Sequence, residues 1–443
     1  MHSDNLPRHR DIWRIAGPMI LSNVSVPLLG MVDTGVTGHL DNPAYLGAVA
    51  VGSTIFGFLF GGFNFLRMGT TGITAQRFGA RDFSGLRIAL GQALIVSIAI
   101  AIAIIALQLP LSTITMRLIG PEAHIGVFAQ QYFDIRIWSA PATLANYVLI
   151  GWFLGLQNAR VPLIIVLAIN VTNIILDLVF VLLLGMTVDG VATASVIAEF
   201  VGLTVGTAYA FAYLKEHPGH AAWRQLTALD EYTAFFSVNL HLLVRTMALM
   251  FTFASVTAAG ARLGGLVLAA NAVLINMIHL MSFALDGFAH AAEALVGKAV
   301  GARDRASLER AVRLTLQWSL YVAVLFCVFF LLGGKPMIRL LTDLPDVIEV
   351  ADRYLPWPMF LPLVAVWSYL YDGVFVGATR AREMRDIMLI STFLVFVPAW
   401  YAFDFLGNHG LWLALTLFLA SRGIGMHYYY RNRVLATILV RPG

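Results

Sequence analysis

Three stretches of this chain, Leu90–Leu109, Leu163–Leu184 and Leu314–Leu332, run almost without charge. Each is about the length of the roughly 20-residue helix needed to cross ~30 Å of hydrocarbon. Their apolar residues are continuous, whereas barrel strands alternate over ~10 residues, so helices are expected. With 59% hydrophobic and 12% charged residues there is too little polar side-chain material to clothe a soluble surface. The mean hydropathy of +0.79 agrees. The polar residues up to Asp11 lead into an apolar run that continues as a full span, so no cleavable signal peptide is expected. The single cysteine, Cys327, lies in an apolar run and offers neither a disulfide nor a CxxC site.

Apolar runs and loop punctuation predict spans at 13–38, 46–74, 88–110, 126–155, 162–184 and 190–213. Beyond a polar connector, six more follow at 233–257, 267–296, 311–332, 354–378, 387–405 and 410–430. The division is therefore an N-lobe over 1–214, a cytoplasmic connector over 215–232 and a C-lobe over 233–443. Of the 29 Lys and Arg, twenty-one fall on the side of both termini, Arg422 among them. Arg117, Arg262, Lys335, Arg339 and Arg353 fall on the other side, and Arg67, Arg136 and Arg245 lie within spans. Cytoplasmic loops are the basic ones, so both termini are expected inside. The same topology explains the net charge of +4 without nucleic acid.

At a shift of 222 residues, Gly79-Ala80-Arg81-Asp82 falls on Gly301-Ala302-Arg303-Asp304. Tyr132 then falls on Tyr354, Tyr147 on Tyr369, Gly155 on Gly377 and Ala159-Arg160 on Ala381-Arg382. A register shared over that distance indicates duplication. Six spans per copy give both copies one orientation, a parallel repeat of the kind that commonly binds substrate between its halves. The acids do not follow the repeat: Asp33 falls on Ser255, Asp177 on Ala399, Glu293 on Thr71 and Asp372 on Ile150. The halves share a scaffold and differ in chemistry.

An ionised side chain at mid-membrane costs about 2.5–3.5 kcal/mol on insertion scales, so each needs a partner, a watery cavity or a function. Asp33 lies in span 1 with Pro18 and Pro27, positions at which the helix can kink or hinge. Asn173 and Asp177 share a face of span 5, as Ser195 and Glu199 do in span 6. If these spans converge, Asp33 and Asp177 share one site in which both carboxylates cannot comfortably ionise. In the second half His279, Asp286, His290 and Glu293 trace one face of span 8, and Asp372 lies in span 10. Span 7 carries His241 and Arg245, the latter a counter-charge for Asp286 or Asp372. Asp134 and Arg136 read as an interfacial ion pair, and Glu199 and Glu293 as either packing or functional groups. The histidines form no metal motif.

No phosphate-binding loop is present, since Gly297-Lys298 runs into Ala299 and Gly334-Lys335 into Pro336. No nucleophile elbow or other catalytic constellation is found, so an enzyme is not expected. An ion gradient is the natural energy source, worth ~2.3 kcal/mol per charge per ~100 mV.

The chain resembles the multidrug and toxin extrusion (MATE) transporters, in particular their DinF branch. The resemblance rests on Pro27-Leu28-Leu29-Gly30 with Val32-Asp33-Thr34, Gly38-His39-Leu40, Arg67-Met68, Leu285-Asp286-Gly287-Phe288, the repeated Gly-Ala-Arg-Asp and Asp372-Gly373. It implies two pseudo-symmetric six-helix lobes around a central cleft in a bacterial inner membrane, without a cofactor. It further implies export of amphipathic, often cationic drugs or toxins in exchange for protons, by a monomer. Asp33, Asn173, Asp177 and Ser195 match the family's N-lobe coupling cluster, with Pro18 and Pro27 as hinge positions. The family's span 4 aromatic finds only Trp138 as a candidate. Arg245, Asp286, Glu293 and Asp372 are assigned to a C-lobe polar network. Sodium-coupled relatives place a glutamate in span 7, where this chain has Arg245, which favours protons. Sodium at the N-lobe carboxylates is one alternative. A lipid-linked precursor flippase of the same superfamily is another, which should show a cationic cavity.

Overall fold

A computed structural model of the chain describes residues 6–38, 40, 42–217, 219, 225–226 and 232–437. His39, Pro218 and most of the 215–232 connector lie outside the described residues. Among the described residues there are twelve long helices, joined by shorter helical segments, and no strand. In the first half they are α1 (His9–Gly38), α2 (Pro43–Gly79), α3 (Phe83–Ala106), α4 (Ala123–Gly155), α5 (Arg160–Leu183) and α6 (Val188–Glu216). In the second they are α7 (Thr233–Arg262), α8 (Gly265–Gly301), α9 (Arg305–Leu341), α10 (Pro356–Gly377), α11 (Ala381–Ala402) and α12 (Asn408–Tyr429). All but α12 have the length and hydropathy of a membrane span by composition alone. In α12 the polar Asn408, His409, Arg422 and His427 dilute a run of 22 residues.

The repeated Gly-Ala-Arg-Asp has a structural cause. At the end of α2 the chain turns through a left-handed residue, Arg81 (φ 58°), and Asp82 N–H donates back to Arg77 O at 2.9 Å. This is the Schellman ending of a helix. Asp82 then caps α3, its carboxylate accepting from Gly85 N–H at 2.8 Å. The same construction follows α8: Arg303 (φ 53°) turns the chain and Asp304 accepts from Ser307 N–H at 3.0 Å. The other non-glycine residues with positive φ among those described are Gln157 and Thr379, again one pair at the repeat shift. Close helix crossings repeat as well. A Cβ at Gly151 would lie 2.4 Å from Arg67 O, and one at Gly373 would lie 2.1 Å from Ala289 O, so α4 crosses α2 and α10 crosses α8 at glycines.

The halves diverge at helix joints. A short helix, Gln108–Ile119, is separated from α3 at Leu107, whereas the equivalent stretch in the second half is fused into the 37-residue α9. The helix Pro345–Tyr354 precedes α10 at the place where α4 begins, a segment not separated by the sequence pattern.

Packing divides the chain within α1. One compact unit runs from Leu21 to Thr233. The other joins the residues from Ala234 onward to the start of α1, through Ile20. In this second unit Trp13 packs edge-on against Phe288 of α8 and Trp318 of α9, at centroid distances of 5.3 and 5.2 Å. Arg310 Nε donates to Pro7 O at 2.9 Å. The α1 helix runs unbroken through both Pro18 and Pro27, each of which deletes one backbone hydrogen bond.

Candidate coupling site

Within the Leu21–Thr233 unit, α5 presents Asn170, Asn173 and Asp177 at spacings of three and four residues, one stripe on a helix. All three are buried, Asp177 completely. Asn170 Nδ2 donates to Ser25 Oγ of α1 at 2.8 Å, two residues before Pro27. Asn173, with its amide nitrogen turned to the carboxylate, donates to Asp177 Oδ2 at 2.9 Å. Its oxygen accepts from Ser195 of α6, at 3.0 Å from Oγ and 3.1 Å from the backbone N–H. The carboxyl groups of Asp33 and Asp177 lie within hydrogen-bonding reach of each other. Asp177 Oδ1 is buried and meets no N–H or neutral O–H donor. Immediately after Asp177, α5 widens into a π-helical turn over Leu178–Leu183, a distortion frequent at functional sites.

The structure thus brings Asp33, Asn173, Asp177 and Ser195 together. It adds Tyr132 of α4, which is 3% exposed, lies within reach of Ser53 and Ser195, and feels the charges of Asp33 and Arg136. Trp138, the sequence candidate for the aromatic of this span, is 54% exposed. The signal for Tyr132 was its repeat partner Tyr354, which marks a position held by the scaffold. Asn170 was missed because an asparagine on an apolar helix carries no motif.

Arg136 requires a second correction. Its carboxylate partner is Glu199 at 3.4 Å, and its guanidinium lies over the rings of Phe56 and Phe60 at 5.8 and 5.6 Å. Asp134 instead accepts from Gln130 at 2.7 Å. Asn146 donates to both the backbone and the carboxylate of Glu199, at 2.9 and 3.0 Å. Glu199 therefore ties α4 to α6, and Ser195, one turn away, serves Asn173 instead.

The second unit is built differently. Asp372 Oδ2 accepts from Arg245 of α7 and from Arg422 of α12, the latter at 2.7 Å. Arg422, assigned by sequence to the basic cytoplasmic side, is 4% exposed and sits over the Phe418 ring at 5.4 Å. Asp286 adds a favourable charge for Arg245. Glu293, 3% exposed, pairs with His290 at 3.4 Å. The face expected on α8 is only partly buried, since His279 is exposed. His241 meets Arg385 at 2.9 Å.

The twelve long helices among the described residues, in two related sets with carboxyl groups held inside the spans, define a multi-pass membrane protein of the transporter class. The model of the MatE family matches residues 18–179 and again 242–401, once in each half, and the chain belongs to that family. It is 43% identical to the DNA damage-inducible protein F of Escherichia coli K12, over 95% of this chain and 92% of that protein. It is 22% identical to the rabbit multidrug and toxin extrusion protein 1, over 95% of this chain and 74% of the other. Among solved structures, the outward-facing conformation of a multidrug resistance MATE family transporter superposes with a TM-score of 0.88 at 20% identity, covering 98% of this chain and 97% of that one. The two family matches start 224 and end 222 residues apart, the register of the repeat.

Proposed function

We propose that this transporter exports amphipathic, often cationic drugs or toxins from a bacterial cytoplasm across the inner membrane in exchange for protons, by alternating access. The observation that carries this is the contrast between the two units. Asp33 and Asp177 face each other, and among the described residues neither accepts a side-chain hydrogen bond from an arginine or lysine, Arg136 acting on Asp33 only through its charge, so a single proton can satisfy both. Asp372, by contrast, is already occupied by two guanidinium groups. A fixed cation does not leave with the transport cycle, whereas a proton shared by two carboxyls can.

Deprotonation leaves two carboxylates in contact inside a low-dielectric span, a state favoured only when water or a cationic substrate reaches them. Proton and cation thus compete for the same negative charge, which is the requirement for exchange. Multidrug export by relatives such as the rabbit multidrug and toxin extrusion protein supports the substrate class. The test is dye efflux from vesicles containing the purified protein under an imposed pH gradient and, separately, an imposed sodium gradient. Efflux driven by the pH gradient alone is expected; efflux driven only by sodium overturns the ion assignment.

A further inference from the structure

The second unit carries a groove of about 850 Å³ between α10 and the end of α12 that none of the groups above uses. Its walls are apolar and aromatic, with Leu363 and Trp367 from α10 and Ile424 from α12. Ile424 is 72% exposed, so the groove opens sideways onto the surroundings of the helices. At the depth of a membrane span those surroundings are lipid chains. One end changes character: His427, Arg431 and Asn432 line it, the latter two on a π-helical turn at Tyr430–Val434. No carboxylate is among the lining residues. The positive-inside count puts this end at the cytoplasmic face.

The dimensions suit one occupant. Along α12 the lining runs from Ala420 to Asn432, about 18 Å at ~1.5 Å per residue. One leaflet of a ~30 Å hydrocarbon core is about 15 Å deep, so a chain lying against Trp367 and Ile424 brings its phosphate level with Arg431. A basic residue at that level attracts anionic headgroups.

We propose that this groove is a binding site for a phospholipid with an anionic headgroup, its acyl chain lying against Leu363, Trp367 and Ile424 and its phosphate held by Arg431 and Asn432. The site is independent of the proton-coupling proposal.

Trp367 supplies the probe. The protein is placed in phosphatidylcholine nanodiscs containing a small fraction of brominated-chain phosphatidylglycerol or, in parallel, brominated-chain phosphatidylcholine. The signal of the wild type less that of Trp367→Phe reports bromine at the groove. The anionic lipid should be preferred over the zwitterionic one by roughly fivefold, and Arg431→Gln should remove the preference. Equal quenching by both lipids, or a preference that survives Arg431→Gln, overturns the proposal. So does relief of quenching by rhodamine 6G in both wild type and Arg431→Gln, which would make the groove a path for substrate. If Trp367→Phe fails to fold, native mass spectrometry of the wild type and Arg431→Gln decides: the variant should retain one fewer phosphatidylglycerol, and equal retention overturns the site.

Discussion

The ring of Tyr132 fills the space that a side chain at Gly52 would need: a Cβ there would lie 2.3 Å from Cδ1 of the ring. Tyr132 is buried, so it has nowhere to retreat without leaving Ser53 and Ser195. Gly52→Ala should therefore cost about 1–3 kcal/mol by overpacking. It should also displace the ring from the Asp33 neighbourhood. The expected outcome is a lower melting temperature together with slower pH-driven efflux per folded molecule. An unchanged efflux rate would show that Tyr132 is packing alone.

Removing either carboxylate of the coupling pair should have the same effect. Asp33→Asn or Asp177→Asn leaves an uncharged amide against a carboxyl, and no step of the cycle then has two acids exchanging one proton. Efflux under an imposed pH gradient should fall to the level of empty vesicles in both variants. Either variant retaining the wild-type rate in that assay would remove the pair from the mechanism.

Asp372 should behave in the opposite manner, as a stability residue. Asp372→Asn leaves the Arg245 and Arg422 guanidiniums without their shared carboxylate in a buried setting. Breaking a buried pair in this way costs about 3–5 kcal/mol. Thermal unfolding in detergent should show a far larger loss for Asp372→Asn than for Asp33→Asn. Equal losses would contradict the division of roles between the units.

A neutral contact offers a calibration. Asn271 of α8 and Asn408 of α12 donate to each other's oxygens at 2.8 and 2.9 Å, and Trp412 Nε1 adds a bond to Asn271 at 3.0 Å. Asn408→Ala removes one side of this buried exchange and leaves the Asn271 Nδ2 without its acceptor, while the Asn271 oxygen keeps only the Trp412 bond. A destabilisation of about 1–3 kcal/mol is expected, with efflux by the remaining folded protein unchanged. Thermal unfolding paired with vesicle transport measures both.

The span pattern was legible because it is written in runs of residues along one helix. The face holding Asn173 and Asp177 was legible for the same reason, since a spacing of four fixes two side chains on one side. Partners across helices were not. Arg136 is two residues from Asp134 but two residues apart is nearly opposite on a helix, so packing gave it Glu199 instead. Arg422 lies near the basic end of the last span, and only the fold shows that α12 turns it inward onto Asp372. Trp138 and Tyr132 are both aromatic residues of α4; burial, which sequence alone does not rank, separates them.

The left-handed turns at Arg81 and Arg303, and at Gln157 and Thr379, place bulky side chains where glycine would be more comfortable. Their persistence in matched pairs means that the ancestral copy bequeathed its helix-end backbone angles more faithfully than the acids inside its spans. A genealogy of such proteins traced through torsions at helix ends would reach further back than one traced through their membrane-embedded acids, which each half has been free to acquire or discard.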